Sequence, residues 1–474
     1  MFSADKTASG DDGPRVETDL LGTKDIPADV YWGIHTARAL ENFPLTGRPM
    51  HPELIYAMLD VKQACAQTNL RIGHLDESTA EAICLACEDA ARKPLFDHIL
   101  VDGLQGGAGT SFNMNINEVV ANRAEERLGG RRGQYRLIHP LDHVNLHQST
   151  NDTFPTAIKI AAIRLLHRLE KSIAALQMTF QAKEREFADV VKMGRTQLQD
   201  ACPITLGAEF SAWAEALSRD RWRIFKCEER LRVVNLGGTA LGTGVTAPRD
   251  YIFQVVETLR TNTGLGLARA ENLMDATQNA DCFVEVSGIL KAHAVNLFKI
   301  SSDLRLLSSG PKTGIGEIAL PARQAGSSVM PGKINPVICE AVGQAALQVI
   351  AHDTAITLAA QSGQLELNAF LPLLAQSLLD GLSILDRACQ IFRSRCIEGI
   401  TADRTRCRDL VQNSWASVVA LVGRLGYEVA TEVGREARET GKPVTQIVLD
   451  RGLLDASELE TLLSAEAMIA LGSP

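Results

Sequence analysis

Residues 153–193 read TFPTAIKIAAIRLLHRLEKSIAALQMTFQAKEREFADVVKM, with one proline near the start and no glycine. The apolar side chains recur at intervals of three and four residues, which is the spacing of one face of an α-helix. This stripe consists of Ile158, Ala161, Leu165, Leu169, Ile173, Leu176 and Phe180. We expect a helix of roughly 40 residues, about 55 Å long, with Asp152 or Thr153 as its N-cap and Gly194 as its stop.

A helix of that length needs other long helices beside it to be stable in a globular protein. Four further segments carry a similar apolar stripe, and glycine-bearing loops separate them. They span residues 203–234, 276–307, 336–360 and 372–396. Five long helices in sequence predict a mainly α fold with a central bundle, and the absence of strict heptads disfavours a coiled coil.

The regions on either side of the predicted bundle differ from it in composition and periodicity. The first residues are small and polar with no apolar run, which indicates a flexible tail and not a signal peptide. Shorter helical patterns follow at residues 53–69 and 78–91. We expect a tail at 1–15, an N-terminal mixed and mostly helical domain at 16–150, the central bundle at 151–400 and a small C-terminal helical domain at 401–474.

Composition excludes several classes of protein. The 474 residues carry a formal net charge of -9, which disfavours binding to nucleic acid or to an acidic membrane surface. No apolar run approaches the roughly 20 residues that a membrane span requires. Ten scattered cysteines without a disulfide framework are typical of reduced thiols. We therefore expect a soluble cytoplasmic enzyme.

The loop GSSVMPGKINP at residues 326–336 places two adjacent hydroxyls, a lysine and an asparagine between four helix and strand breakers. The breakers are Gly326, Pro331, Gly332 and Pro336. Short polar side chains on such a loop suit closure over a small anion. A plain surface turn would have the same composition, so the loop alone leaves both interpretations open.

Three other segments combine glycine or proline with Thr, Ser, Asn and Gln beside a predicted helix. They are GGAGTSFNMNINE from Gly106, HVNLHQSTNDTFPTA from His143 and GRTQLQDACPITLG from Gly194. Any one of them could be an ordinary helix cap. The coincidence of four such clusters favours a ligand site. His139, His143 and His147 recur every fourth residue, but Pro140 indicates a loop, so no metal site is predicted here.

Together the four segments resemble the aspartase/fumarase superfamily, whose loop signature is GSSxMPxKxNP, and the aspartase branch is the better match. The resemblance extends from about Leu20 to Leu454. It implies a three-domain fold and a homotetramer in which the long helices of four subunits form a shared core. It also implies active sites that each take residues from three subunits.

Hydroxyls, amides and one lysine, without a metal-binding constellation, suit chemistry in which negative charge grows on a carboxylate. β-Elimination next to a carboxylate is such a reaction. The resemblance implies reversible loss of ammonia from L-aspartate to give fumarate through an aci-carboxylate intermediate. It implies no cofactor, and it leaves open an activating divalent cation.

The resemblance also assigns roles by position. Ser327 matches the general base that takes the proton from the β-carbon, and its hydroxyl would need loop N–H groups and Lys333 to acidify it. Asn151 matches the residue that receives the amino group. The residues matching the β-carboxylate site are Thr110, Ser149, Thr150 and Ser328, and those matching the α-carboxylate site are Lys333, Asn335 and Thr196.

Gln197 separates the candidate activities. Fumarases carry at this position a histidine thought to help activate water, whereas glutamine does not titrate. An α-ammonium group leaves as neutral ammonia with its own protons, so Gln197 favours ammonia loss. Some aspartases also have the histidine, which keeps fumarate hydratase as the alternative. A non-catalytic structural member of the superfamily is a more remote one.

Overall fold

The computed structural model describes residues 13–470, so most of the tail predicted at residues 1–15 lies outside the described part; Arg15 already begins a strand. The eight strands of this part are β1 (Arg15–Asp19), β2 (Gly22–Ile26), β3 (Val191–Thr196), β4 (Gln199–Thr205), β5 (Val233–Val234), β6 (Ala268–Arg269), β7 (Ile318–Ala319) and β8 (Thr401–Ala402). They pair as four two-stranded sheets, β1 with β2, β3 with β4, β5 with β6 and β7 with β8, of which only β5 with β6 is parallel.

Helices make up most of the described chain. The first eleven are α1 (Ile34–Asn42), α2 (Pro52–Arg71), α3 (Glu77–Ala90), α4 (Thr110–Arg127), α5 (Thr150–Glu186), α6 (Leu206–Leu231), α7 (Arg249–Thr263), α8 (Leu273–Gln278), α9 (Asp281–Leu307), α10 (Val337–Gln361) and α11 (Leu371–Arg395). The last six are α12 (Arg404–Asn413), α13 (Val422–Leu425), α14 (Tyr427–Thr440), α15 (Val444–Asp450), α16 (Ala456–Leu462) and α17 (Ala465–Ile469).

The five long helices predicted from the apolar stripes correspond to α5, α6, α9, α10 and α11. The predicted mainly α fold class is confirmed. None of the helices in the described residues is both long enough and apolar enough to cross a lipid bilayer. All ten cysteines are free thiols.

The ends predicted for the first long helix were wrong on both sides. Its N-cap is Ser149, whose hydroxyl accepts the Asn151 N–H at 3.2 Å while its own N–H donates to Asp152 Oδ1 at 3.0 Å. The helix ends at Glu186, before Gly194. Gly194 lies instead in β3, where an added Cβ would stand 2.7 Å from the Cys202 carbonyl oxygen across the hairpin.

The hairpin of β3 and β4 is not predicted by the sequence pattern. Its two strands run antiparallel with a bulge between Met193 and Arg195. Gln197 and Leu198 form the turn, with φ of +53° and +61°. A two-residue turn of this kind matches the twist of a hairpin but is usually marked by asparagine and glycine, so the sequence lacked the usual signal.

The chain divides into two compact units. Within the described residues, the first contains 13–167, 225–290 and 351–383, and the second contains 168–224, 291–350 and 384–470. Each crossing of the chain from one unit to the other falls within a long helix. The division into domains at residues 150 and 400 stays a prediction.

Parts of the long helices pack together inside the second unit. Phe180 of α5 lies against Phe210 of α6 and Phe392 of α11, with ring centroids 5.8 and 6.2 Å apart. Asp220 of α6 bonds His293 of α9 at 2.9 Å. Apolar side chains near the C-terminus form a further core cluster within residues 418–459 of the same unit.

Candidate functional site

The loop at residues 326–336 is closed at its base by its own hydrogen bonds. The Gly326 N–H donates to the Lys333 carbonyl at 2.8 Å, and the Asn335 side-chain amide donates to the Gly326 carbonyl at 2.8 Å. An added Cβ at Gly326 would lie 2.6 Å from the Lys333 carbonyl oxygen. This position therefore requires glycine, and Asn335 fastens the loop before α10 begins.

Ser327 is held inside this closed loop. Its Oγ accepts the backbone N–H groups of Val329 at 3.1 Å and Met330 at 2.9 Å. Short turns that contain serine often have this geometry. It also has a chemical consequence, because two N–H dipoles aimed at one oxygen stabilise that oxygen when it is negatively charged.

The second half of the loop borders an open cleft of about 800 Å³. Its lining includes Lys333 and Asn335 of the loop together with Arg305 and Ser309. Arg305 Nη2 lies 3.7 Å from Glu340 Oε1, an exposed pair that adds little stability. Lys333 and Ser328 are themselves exposed. The cleft thus presents two cationic side chains beside the loop.

Thr196 and Gln197 stand at the exposed tip of the β3–β4 hairpin. A buried ion network lies at the base of that tip. Glu317 is fully buried. Its carboxylate accepts hydrogen bonds from both terminal nitrogens of Arg195, at 2.9 and 3.1 Å, and forms an ion pair with Lys192 Nζ at 3.1 Å. Sequence reasoning missed Glu317 and Lys192, since a distant Glu and Lys carry no local signal of pairing.

Thr110 is the first residue of α4, and its hydroxyl donates to the Gly107 carbonyl at 2.7 Å. Gly109 before it has φ of +95°, and an added Cβ there would stand 2.7 Å from the Phe154 ring. Phe112 packs against Phe154 with centroids 5.9 Å apart. The N-terminal ends of α4 and α5 are therefore neighbours, and helix N-termini favour anions.

Ser149 is the N-cap of α5, and Thr150 and Asn151 begin its first turn. Asn151 donates its side-chain amide to the Ala240 carbonyl at 2.9 Å, and its own carbonyl accepts from Asn235 at 3.0 Å. Asp152, fully buried, accepts the backbone N–H groups of residues 237 and 239. Burial raises the pKa of Asp152 to about 6, although these hydrogen bonds act in the opposite direction.

Lys62 supports this turn from inside the first unit and was missed by sequence reasoning. Its ammonium donates to Asn113 Oδ1 at 2.7 Å, Gln148 Oε1 at 2.8 Å and Asn145 Oδ1 at 3.1 Å. Three neutral acceptors use all three of its protons. Burial lowers the pKa of Lys62 to about 8. Nothing in the sequence distinguishes this lysine from a solvated one on α2.

The structure groups the candidate residues in two sets. Thr110, Ser149, Thr150 and Asn151 belong to the first unit, whereas Thr196, Gln197, Ser327, Ser328, Lys333 and Asn335 belong to the second. Four of the eight non-glycine residues with positive φ in the described chain lie in the three polar segments that begin at residues 106, 143 and 194: Ala108, His147, Gln197 and Leu198. Such backbone strain concentrates at functional sites, and this is a structural signal that the sequence did not give.

Comparison with known proteins places these observations in a family. The profile of the family described as Lyase matches residues 22–351, and that described as Fumarase C C-terminus matches residues 418–470. The chain is 49% identical to the aspartate ammonia-lyase of Pseudomonas canavaninivorans over 459 residues, covering 96% of this chain and 97% of that protein.

Two solved structures share the fold. The fumarate lyase:delta crystallin from Brucella melitensis, bound to cobalt, is 46% identical with a TM-score of 0.93, covering 96% of this chain and 100% of that one. The recombinant class II fumarase from Schistosoma mansoni is 31% identical with a TM-score of 0.90, covering 96% of this chain and 99% of that one. The identity is thus higher to the aspartate ammonia-lyase than to the fumarase.

Proposed function

We infer that this chain, which belongs to the lyase family of the aspartase/fumarase superfamily, is a carbon–nitrogen lyase that removes ammonia from L-aspartate to give fumarate. The identity of 49% over nearly the whole length to an aspartate ammonia-lyase supports this substrate. The observation that carries the mechanism is the pair of backbone N–H groups directed at Ser327 Oγ. They suit a serine that acts as an oxyanion.

The proposed reaction begins with transfer of a proton from C3 of the substrate to the Ser327 alkoxide. The electron pair of that C–H bond moves into the adjacent carboxylate, giving an aci-carboxylate that carries two negative charges. When this intermediate collapses, a double bond forms between C2 and C3 and the C2–N bond breaks. Its electrons leave with the ammonium nitrogen, which departs as neutral ammonia.

The aci-carboxylate is the species that most needs stabilisation, since the charge develops there in the transition state. We assign Thr110, Ser149, Thr150 and Ser328 to the β-carboxylate. The neighbouring N-terminal ends of α4 and α5 support this assignment, because helix dipoles favour added negative charge at that end. These donors would bind the intermediate more strongly than the substrate.

The α-carboxylate and the amino group of the substrate need binding residues whose contacts hold the substrate in place while the charge develops on the β-carboxylate. We assign Lys333, Asn335 and Thr196 to the α-carboxylate and Asn151 to the amino group. One amide hydrogen of Asn335 is used to close the loop, and its second remains for substrate. Gln197 beside Thr196 cannot donate a proton to a leaving hydroxide, which favours an amine leaving group.

We propose that the enzyme works as a homotetramer with each active site drawn from three subunits. Apolar side chains on the long helices support self-association. Trp222 and Phe225 of α6 leave 64% and 63% of their surface exposed in the single chain, and Phe298 of α9 and Leu347 of α10 are also exposed. Several large apolar side chains left exposed on long helices are consistent with burial in an interface between subunits. We also propose that the enzyme is cytoplasmic and that its reaction requires no cofactor.

The test is the ultraviolet absorbance of fumarate formed by purified protein from L-aspartate, run beside L-malate. We expect rapid absorbance growth from L-aspartate without added cofactor and little from L-malate. If fumarate forms from L-malate and not from L-aspartate, the protein is a fumarate hydratase and the ammonia-lyase proposal is wrong. No fumarate from either substrate, in folded tetrameric protein, would favour the structural member of the superfamily.

A further inference from the structure

Two imidazole rings meet in the first unit beside the segment that leads into α5. His147 Nε2 lies 2.9 Å from His74 Nδ1, and the ring centroids are 4.9 Å apart. His74 follows the end of α2, and His147 lies two residues before the N-cap of α5. Neither ring has a part in the proposed elimination.

The surroundings of His147 fix which nitrogen carries its proton. His147 Nδ1 lies 2.9 Å from the Thr246 carbonyl oxygen. A carbonyl only accepts, so Nδ1 carries the hydrogen and donates it. In the neutral ring Nε2 therefore presents its lone pair toward His74. Histidines that bind metals use this same arrangement, with the non-ligating N–H held by a carbonyl or carboxylate.

We propose that His74 and His147 form a binding site for one divalent transition-metal ion, such as Zn²⁺ or Co²⁺. Imidazole nitrogens suit these borderline ions. Two metal–nitrogen bonds of about 2.0–2.1 Å at a tetrahedral angle place the nitrogens about 3.3 Å apart, so the pair needs to separate by only about 0.4 Å. His74 would shift its proton from Nδ1 to Nε2, with no proton released.

The backbone segments that carry the two rings are already joined without the imidazoles. The Asn69 side-chain amide donates to the Leu146 carbonyl at 3.2 Å, and the His74 N–H donates to the Asn69 carbonyl at 2.8 Å. Tyr251 packs on the His147 ring with centroids 5.5 Å apart. A metal would thus bind to ligands whose positions are largely fixed, which lowers the entropic cost of binding.

Two imidazoles supply only part of a coordination shell. Within residues 13–470 no cluster of three or more His, Cys, Asp or Glu side chains forms a metal site. Water would fill the remaining positions, and the affinity would be that of a two-ligand site. The bound ion would link the end of α2 to residues 145–148, which precede the candidate substrate residues Ser149, Thr150 and Asn151.

The first test is titration of chelator-treated, dialysed protein with Co²⁺, followed by its visible absorption and then by displacement with Zn²⁺. We expect one Co²⁺ per chain. His74→Gln and His147→Gln should each weaken binding by about tenfold or more. His167→Gln removes an exposed imidazole that pairs with Glu228 at 2.8 Å, and it should leave binding unchanged. Equal binding by wild type and both site variants would overturn the proposal.

A second test needs no variant and so does not depend on folding of a mutant. Zn²⁺ should protect His74 and His147 of the wild-type protein from acylation by diethyl pyrocarbonate, measured by peptide mass spectrometry, while His167 stays reactive. Equal labelling of all three rings with and without Zn²⁺ would overturn the metal site. Both tests are run without substrate, so they stand or fall separately from the lyase activity.

Discussion

Glu317 receives the two terminal nitrogens of Arg195 on its two carboxylate oxygens, at 2.9 and 3.1 Å. Arg195 is the residue before Thr196, so this bidentate pair anchors the base of the hairpin tip. Lys192 shares the same carboxylate and is itself almost fully buried. Lys192 also donates to Glu209 Oε1 at 2.6 Å, so two carboxylates compensate the two cations.

Glu317→Gln should destabilise the protein by about 3 kcal/mol, because it removes the buried carboxylate that pairs with both terminal nitrogens of Arg195, while Lys192 keeps its ion pair with Glu209. The shift in the urea unfolding midpoint measures this. Glu398→Gln is the matched control, since it removes an exposed carboxylate paired with Arg393 at 2.8 Å, worth about 0–1 kcal/mol. Similar shifts in both variants would contradict a special role for Glu317.

Ser327→Ala should lower kcat by about 10²–10⁴-fold while leaving the unfolding midpoint close to that of wild type. The physical reason is loss of the proposed base from an exposed loop that contributes little to the core. Ser394→Ala, which removes a hydroxyl bonded to the Gln390 carbonyl, should keep full activity. Turnover near the wild-type value in Ser327→Ala would remove this serine from the mechanism.

Mixing two inactive variants tests the shared site. Ser327→Ala and Ser149→Ala chains, denatured together and refolded, should regain up to about a quarter of wild-type activity if the two residues of a site come from different subunits and chains mix freely. Each variant refolded alone is the control. Mixed tetramers seen by native mass spectrometry without any recovered activity would refute the sharing and leave the lyase assignment intact.

Lys62 should impose a pH dependence on stability. Its pKa is about 8 in the folded protein against 10.5 for an ordinary lysine, so the folded state binds its proton less tightly than the unfolded state. The cost of burying the charge is present below pH 8 and is relieved as the pH rises from about 8 to 10.5. Across that window the wild type should gain stability relative to Lys62→Met.

The measurement is the difference in urea midpoint between wild type and Lys62→Met at pH 7, 8.5 and 10. Lys299→Met, which removes a lysine with an exposed side chain on α9, serves as the control and should show no such trend. A difference that stays constant with pH would contradict the lowered pKa of Lys62.

The long helices were predictable because their stripes of apolar residues extend over many turns, so an error of one residue does not hide the period. Their ends were harder. Ser149 and Asp152 exchange hydrogen bonds at the same helix start, and the sequence pattern led to Asp152 or Thr153 as the N-cap instead of Ser149. The β3–β4 hairpin was missed because its turn uses Gln197 and Leu198 in a conformation that asparagine and glycine usually adopt.

In the candidate site, contacts between residues close in sequence were predictable, whereas contacts between residues distant in sequence were not. Ser327 and the backbone N–H groups that donate to it lie within four residues of one another, so a local sequence motif is enough to predict them. Lys62, Glu317 and His74 act on residues 86, 122 and 73 positions away. Such pairings are made by the tertiary fold, and a single sequence gives no period or spacing that reveals them.

The hydrogen bonds at the base of the loop at residues 326–336 hold its two ends, so the middle of the loop is structurally independent of α10 and the core. The fastening made by Gly326, Lys333 and Asn335 fixes both ends, while Val329 and Met330 between them expose their side chains to solvent. Exchanges at these two positions would therefore change what the loop contacts without disturbing α10 or the core. Evolution toward a substrate with an added substituent could therefore proceed by substitutions at Val329 and Met330 alone, without loss of fold stability.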